Sequence, residues 1–278
     1  MSKFENYSVL MSVYKNEKSG ILRESMQSIY DQTVPTDDFV LVCDGPLTKR
    51  LDGVIDEMQE KFGKRLRVIR LEENHGAGYA RNIGMQKCKN DLVAIMDSDD
   101  VSIEDRCEKE LSIFQEKPGL SVVGGFVGEF VTTINEVESI RRVPEENDEI
   151  MRFAKWRSPI NQPSAMLRKR DVMSVGNYPV VRYCEDYLLW INLLSKGYKF
   201  YNLQEILTYM REDRETFRRR GGWRYFMIQK DLFKIMRKKR FLSAPEYMAV
   251  MAIRFSSALV PNWLRQSLFE RFMREKIK

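Results

Sequence analysis

Three apolar runs, YSVLMSV (residues 7–13), FVLVC (39–43) and LVAIM (92–96), constrain this chain more than any other feature. Each is short for a helix, carries no charge and reads as nearly continuous hydrophobicity, the pattern of a strand covered on both faces. Between and beside them lie segments with helical spacing, ILRESMQSIYDQ, LTKRLDGVIDEMQEKF and GAGYARNIGMQKC, with LRVIRL as one further strand. Strands alternating with helices predict an α/β fold whose central sheet is mostly parallel and flanked by helices on both faces. In such open sheets, ligands bind beyond the carboxyl ends of the strands. SVYKNE, CDG and MDSDD all fall there, so three motifs should converge on one rim.

Downstream, SIEDRCEKELSIFQEKPG predicts a helix with Ser102 as N-cap, Asp105 as its capping partner and Pro118-Gly119 as the stop. LSVVGGFVGEFV predicts a strand bent at Gly124-Gly125, and NQPSAMLRKRDV a loop, a short strand and a helix start. CEDYLLWINLLSKG predicts an amphipathic helix ending at Gly197, followed by two strands, YKFYNL and EILTYM. From about Gly221 the pattern is helical throughout. One segment is WRYFMIQKDLFKIMRKKR, a second starts at Ser243 with Glu246 completing a capping box and Pro245 in the first turn, and a third starts near Asn262. The organisation expected is a catalytic domain over 1–215, with halves meeting at about 118/119, and a basic amphipathic extension over 216–278.

Charge divides the chain in the same way. The net charge is +6, yet residues 211–278 hold 18 Lys and Arg against 7 Asp and Glu, which leaves the first 210 residues acidic. A basic, aromatic tail on an acidic body fits an anionic membrane surface, a nucleic-acid patch or a helical cover over the sheet. Cys43, Cys88, Cys107 and Cys184 lie far apart with no CxxC pair, which excludes a zinc ribbon and a disulfide framework and fits a reduced, cytosolic setting. No stretch reaches the roughly 18 uncharged apolar residues of a membrane span. A single histidine, His75, argues against a zinc hydrolase or a serine protease.

The acidic cluster Asp97, Asp99 and Asp100 poses the chemical question. Three carboxylates within four residues repel one another unless a cation or hydrogen-bond donors neutralise them. Oxygen ligands on a short loop suit Mg2+ or Mn2+, which take one or two carboxylates plus substrate phosphates. A helix N-terminus stabilised by acidic residues is the other arrangement that uses them.

SVLMSVYKNE, LVCDG, ENHGAGYARNIGM, VAIMDSDD and CEDYLLWINLLSKG, in this order, resemble the inverting family-2 glycosyltransferases of GT-A fold, in particular bacterial capsule and exopolysaccharide enzymes. The resemblance spans roughly residues 7 to 211. It implies transfer of a sugar from a UDP- or dTDP-sugar to the hydroxyl of a saccharide or lipid-linked saccharide. It also implies that Asp97 and Asp99, with Ser98 between them, form the DXD motif that meets the divalent metal and the donor's ribose and diphosphate, Asp100 sharing the metal. Val13, Tyr14, Glu17 and Asp44 would hold the nucleoside, and Arg81 and Asn82 would organise the site near the diphosphate. Asp186 would be the general base and Glu185 its support, with Gln162 and Ser164 as acceptor contacts. Arg211 stands where relatives carry an Arg followed two residues later by His; Asp213 replaces that His, so only Arg211 carries over, as a diphosphate contact. Cys43 and Pro46 stand where relatives often carry an acid and a serine, which leaves the base, uracil or thymine, open.

Two other readings compete. A sugar-phosphate nucleotidyltransferase shares such sheets and aspartates, but it wants a Gly-rich, basic loop after the first strand that YKNEKSG does not supply. A nucleic-acid-binding protein would use only the tail; its affinity would fall steeply with salt and survive loss of Asp97. The expected partners are a nucleotide sugar, a saccharide acceptor and the inner face of an anionic membrane, without nucleic acid; a homo-oligomer stays open.

Overall fold

The computed structural model describes residues 4–181, 183–212, 222–259 and 275–276. Strands β1 (Tyr7–Val13), β2 (Asp38–Cys43), β3 (Leu66–Arg70) and β4 (Leu92–Asp97) pair in parallel in the order β3-β2-β1-β4. Helices α1 (Ser19–Tyr30), α2 (Lys49–Phe62) and α3 (Ala77–Lys87) connect them. The apolar runs lack polar alternation because each strand feeds two cores. Val9, Met11, Leu41 and Met96 pack with Leu22 and Met26 of α1 and with Leu51 and Met58 of α2. Leu10, Val42 and Ile95 pack on the opposite face with Ala80 and Met85 of α3. Gly84 lets α3 lie directly on the sheet, since a Cβ there would stand 2.2 Å from Leu10 Cδ1 and 2.9 Å from Val42 Cγ2.

Beyond β4 the sheet becomes mixed. β8 (Met166–Arg168) pairs antiparallel with β4 and with β6 (Leu120–Phe130). β6 also pairs antiparallel with β7 (Val137–Arg141) and parallel with β9 (Lys199–Arg211), and β10 (Glu275–Lys276) lies on β7. The predicted bend appears as a register shift between Gly125 and Phe126. YKFYNL and EILTYM form one strand, β9, because the long β6 supplies partners along the whole stretch.

One capping expectation is overturned. Ser102 lies in the two-residue strand β5 (Val101–Ser102), where Val101 pairs with Tyr209 and Ser102 with Thr208, and its N–H donates to Ser28 Oγ at 3.1 Å. Helix α4 (Arg106–Glu116) therefore starts four residues later, behind Asp105, whose side chain makes no cap bond. Ladder pairing with β9 claims the serine that local sequence offered as a cap.

Arg106 opens α4 fully buried and ties the DXD strand down. Its guanidinium donates to the carbonyls of Ile95 (2.9 Å) and Ala165 (3.1 Å) and meets Glu110 at 3.2 Å. Burial pushes the Glu110 carboxyl up to about 7 against the pull of Arg106. Between pH 4.5 and 7 the folded protein thus holds a proton the unfolded chain has released, and stability falls as pH rises through this window. Glu110→Gln should remove this part of the slope, about 3 kcal/mol at most from the shift. Urea unfolding at pH 5 and pH 7.5 reads it, and an equal slope in the variant counts against it.

The C-terminal half adds α5 (Asn147–Phe153), α6 (Lys169–Ser174) and α7 (Glu185–Ser195), which stops before Gly197 at φ +84°. Helices α8 (Gly222–Lys238) and α9 (Ala244–Leu259) follow. The expected capping box is present: Glu246 Oε2 accepts from the Ser243 N–H and hydroxyl, both at 2.8 Å. Phe233, Met236 and Val250 are buried in the same core as Tyr187 to Leu194 of α7, so the α8–α9 pair packs on the catalytic body. The third helix expected near Asn262 and the 215/216 boundary lie outside the described residues. Among the described residues, no helix is long and apolar enough to cross a membrane.

Candidate active site

The parallel register sets the ends of β1, β2 and β4 side by side, with Val13 opposite Cys43 and Ser12 opposite Asp97. The Val13 carbonyl accepts from the Asp44 N–H at 2.8 Å, extending this ladder by one bond. Asp44 then holds the loop before α3. Its Oδ1 accepts from the His75 N–H, and its Oδ2 from the Gly76 N–H and the Asn74 amide, each at 2.8 Å. Gly45 at φ +87° allows the close approach, since a Cβ would lie 2.9 Å from Asn74 N. Three of the roughly four lone-pair sites of this carboxylate are thus filled, leaving one on Oδ1.

Arg81 is the hub. One turn into α3 and only 8% exposed, its guanidinium donates to Asp97 Oδ1 at 2.5 Å and to Glu185 Oε1 at 2.8 Å. An arginine only donates, so the Gln162 amide oxygen faces it, accepting at 2.9 Å from Nε and Nη1. Burial opposes the Arg81 charge, but Asp97 and Glu185 outweigh it and raise its pKa. Gly78, one turn earlier, admits this contact, because a Cβ there would stand 2.7 Å from the Pro179 carbonyl and 3.2 Å from Glu185 Cβ. Strand β4, helix α3 and helix α7 therefore meet at one side chain.

The three aspartates separate in function. Asp97 faces Arg81. Asp99 is exposed to solvent, yet the surrounding protein, then the Asp97 and Glu17 carboxylates, push it up to about 7. Asp100 turns inward at 2% exposure, and its Oδ1 accepts from the Arg211 N–H of β9 at 3.1 Å. Burial, then Asp99 and Asp97, raise its pKa well above the carboxylate range. Asp100 thus faces β9, while Asp97 and Asp99 stay beside Arg81 and Glu17. Pairing with β9 draws Asp100 away, and among the described residues no three His, Cys, Asp or Glu side chains are grouped to hold an ion.

The remaining expected residues divide. Glu17 accepts from Ser98 Oγ at 3.0 Å, linking the first loop to the DXD, and Tyr14 is 41% exposed beside it. Arg211 reaches Glu24 at 2.5 Å and lies over the Phe130 ring, at the same rim as Asp100. Asn82 instead clamps a loop: its amide donates to the Tyr178 carbonyl at 2.7 Å and its Oδ1 accepts from Gln86 at 2.8 Å. Ser164 is fully buried, bonding the Gly125 and Asn161 carbonyls.

Glu185 and Asp186 stand in the first turn of α7, where the helix dipole favours their charge. Burial raises the Glu185 pKa, Arg81 lowers it and Asp186 raises it again. Cys184 just before them is left-handed, φ 59° and ψ 29°, a strained conformation for a residue with a Cβ. Sequence gave no sign of that strain, nor of Tyr178, whose buried hydroxyl lacks a partner among the described residues and lies near Arg81, Asp186 and Asp97. An aspartate-rich strand end thus faces a second carboxylate pair across one arginine, an arrangement able to hold an anion through a cation on one side and take a proton on the other.

Residues 8–176 match the protein family described as glycosyl transferase family 2. The chain belongs to that family. The transferase is 32% identical over 268 residues to the amylovoran biosynthesis glycosyltransferase AmsE of Erwinia amylovora, covering 95% of this chain and 98% of that protein. It is 31% identical over 268 residues to an Escherichia coli UDP-Gal:alpha-D-GlcNAc-diphosphoundecaprenol beta-1,3-galactosyltransferase, covering 96% of each. Among solved structures, the Pyrobaculum calidifontis mannosyltransferase PcManGT, in complex with GDP-Man and Mn2+, superposes with a TM-score of 0.63 at 14% identity, over 97% of this chain and 81% of that one. That likeness is one of fold: the α/β sheet is that of the GT-A glycosyltransferases.

Proposed function

We propose that this transferase moves a sugar, with inversion, from a UDP- or dTDP-sugar to a hydroxyl of a lipid-linked saccharide during synthesis of a cell-surface polysaccharide. The observation that carries the reading is Arg81, which brings the Asp97 strand end and the Glu185-Asp186 turn to opposite sides of one guanidinium. The two relatives named above, similar over nearly their whole length, supply the polysaccharide context and the lipid-diphosphate acceptor class.

In this reading, Asp44 and the Tyr14–Glu17 loop hold the nucleoside. The acceptor oxygen forms a bond to the anomeric carbon on the face opposite the leaving group, and the bond from that carbon to the phosphate oxygen breaks. The electron pair leaves with the nucleoside diphosphate, and the acceptor proton passes to the Asp186 carboxylate. Glu185, fixed by Arg81, orients this turn.

The residues fit a Mn2+ or Mg2+ ion shared with a diphosphate. Asp99 is exposed and, although Arg81 partly offsets it, feels repulsion from Asp97 and Glu17, and Asp97 uses Oδ1 alone on Arg81. Asp97 and Asp99 would hold the ion, with donor phosphates and water completing its shell. Bound there, it supplies charge neutralisation to the departing diphosphate. The exposed aromatics and basic residues of α8 and α9 would keep the enzyme at the cytoplasmic face of the membrane.

A donor panel tests the reading: nucleoside diphosphate release is measured for several nucleotide sugars with a lipid-diphosphate saccharide acceptor, in Mn2+ and in EDTA. One UDP- or dTDP-sugar should be turned over, and EDTA should lower the rate by at least about 100-fold, the order of a lost electrostatic stabiliser. Equal rates in EDTA and Mn2+ would remove the metal from the proposal, and release of pyrophosphate from an NTP would favour the nucleotidyltransferase.

A further inference from the structure

Cations and apolar surface come together behind the base turn. Tyr187, the residue after Asp186, donates its hydroxyl to the Ala154 carbonyl at 2.7 Å and packs edge-on against Phe233 of α8. Residues 154–157 thus lie against the first turn of α7. From α9, Arg254 donates to the Trp156 carbonyl with its guanidinium 5.6 Å from the Phe233 ring. Its Nε is buried with no hydrogen-bond partner, and among the described residues no carboxylate pairs with it.

Arg157 adjoins it. Burial, then the Arg141 and Arg254 guanidinium groups, lower the Arg157 pKa, while Tyr187 and Glu129 act in the opposite direction. Arg141 is balanced by Glu129 and Glu212, whereas Arg254 has no such counter-charge among the described residues. Beside this positive spot the surface is hydrocarbon. Trp156 is 40% exposed, Trp223 59% and Phe255 43%, and the Trp223, Phe226 and Phe255 rings stack at 5.2 to 6.2 Å. An anion alone would not explain the aromatic apron.

We propose that Arg254 and Arg157 bind the diphosphate of a prenyl-linked acceptor, whose hydrocarbon chain leaves along Trp156 and the exposed aromatics of α8 and α9, so that its sugar reaches Asp186. This rests on the glycosyl-transfer reading and adds the surface that holds the acceptor. Guanidinium groups match phosphate oxygens with paired N–H donors, and their strength rises where water is partly excluded.

Farnesyl diphosphate is a probe that needs no knowledge of the sugar. Calorimetry on the full chain, with saturating UDP and Mn2+ present to fill the donor site, should show that it binds. Arg254→Gln and Arg157→Gln should each weaken this binding at least about tenfold, Arg254→Lys should restore part of it, and UDP affinity should stay at its wild-type value. Trp156→Ala should weaken farnesyl diphosphate but leave inorganic pyrophosphate unchanged. The inference is overturned by equal affinity in both glutamine variants, by displacement of farnesyl diphosphate by UDP, or by pyrophosphate binding as tightly as farnesyl diphosphate. A wild type that binds UDP but not farnesyl diphosphate also overturns it and leaves the transferase reading standing. A wild type that binds farnesyl diphosphate but neither UDP nor any nucleotide sugar overturns that reading instead.

Discussion

Asp186→Asn is expected to lower turnover by about 10²- to 10⁴-fold, the usual worth of a positioned general base, while nucleotide-sugar affinity stays at its wild-type value. The substitution keeps the shape of the side chain and removes only its ability to accept the acceptor proton. Asp186 sits in the first turn of α7, where the helix dipole favours a carboxylate. Its neighbour differs in kind. Glu185 is held by Arg81 at 2.8 Å and is therefore a positioning residue, so Glu185→Gln should cost far less, about tenfold, by loosening the turn. Nucleotide release gives the rate and calorimetry the donor affinity. Normal turnover in Asp186→Asn would displace the base assignment, and a loss of donor affinity equal to the loss of rate would move Asp186 to the donor side.

The second large effect falls on Arg81→Met. The methionine fills much of the same volume but leaves Asp97 and Glu185 facing each other without the cation between them. Breaking a largely buried ion pair by removing one partner costs roughly 3–5 kcal/mol, and the surviving carboxylates then repel. A drop in thermal midpoint on the order of 10 °C follows for a chain of this size. The pH dependence has a definite sign. Without Arg81, the buried Glu185 carboxyl loses the charge that lowers its already raised pKa, so the variant is stabilised by protonation and loses stability as pH rises. Its deficit should be larger at pH 8 than at pH 5. Scanning calorimetry at the two values reads this, and a pH-independent deficit would mean that Arg81 matters only for packing. Arg81→Lys keeps the charge but not the fork, so it should recover stability more than activity.

Much of the donor half is visible in local sequence because its signals are local. A strand buried on both faces must be apolar throughout, as Leu92 to Met96 are, and the first polar residues after it mark the rim. Helices α2, α3 and α7 likewise show their spacing, and α7 its stop at Gly197. The failures have one form. Ser102 has the chemistry of a cap, but Thr208, more than a hundred residues away, takes it into a strand. YKFYNL and EILTYM look like two strands until β6 is seen to be long enough to pair with both.

Arg81 marks the same limit within the site. Its place in a helix and its charge are evident from the chain, but its partners lie 16 and 104 positions away. By itself the sequence determined which residues stand at the strand ends, which surfaces must be buried and that the tail is basic, because periodicity and composition act over a few residues. Only the tertiary structure decided that Asp99 is exposed while Asp100 turns to β9, and that α8 and α9 pack on α7. The reason is that a carboxylate's direction and a helix's docking face are set by whichever distant donors and apolar side chains the packed chain brings within a few ångströms.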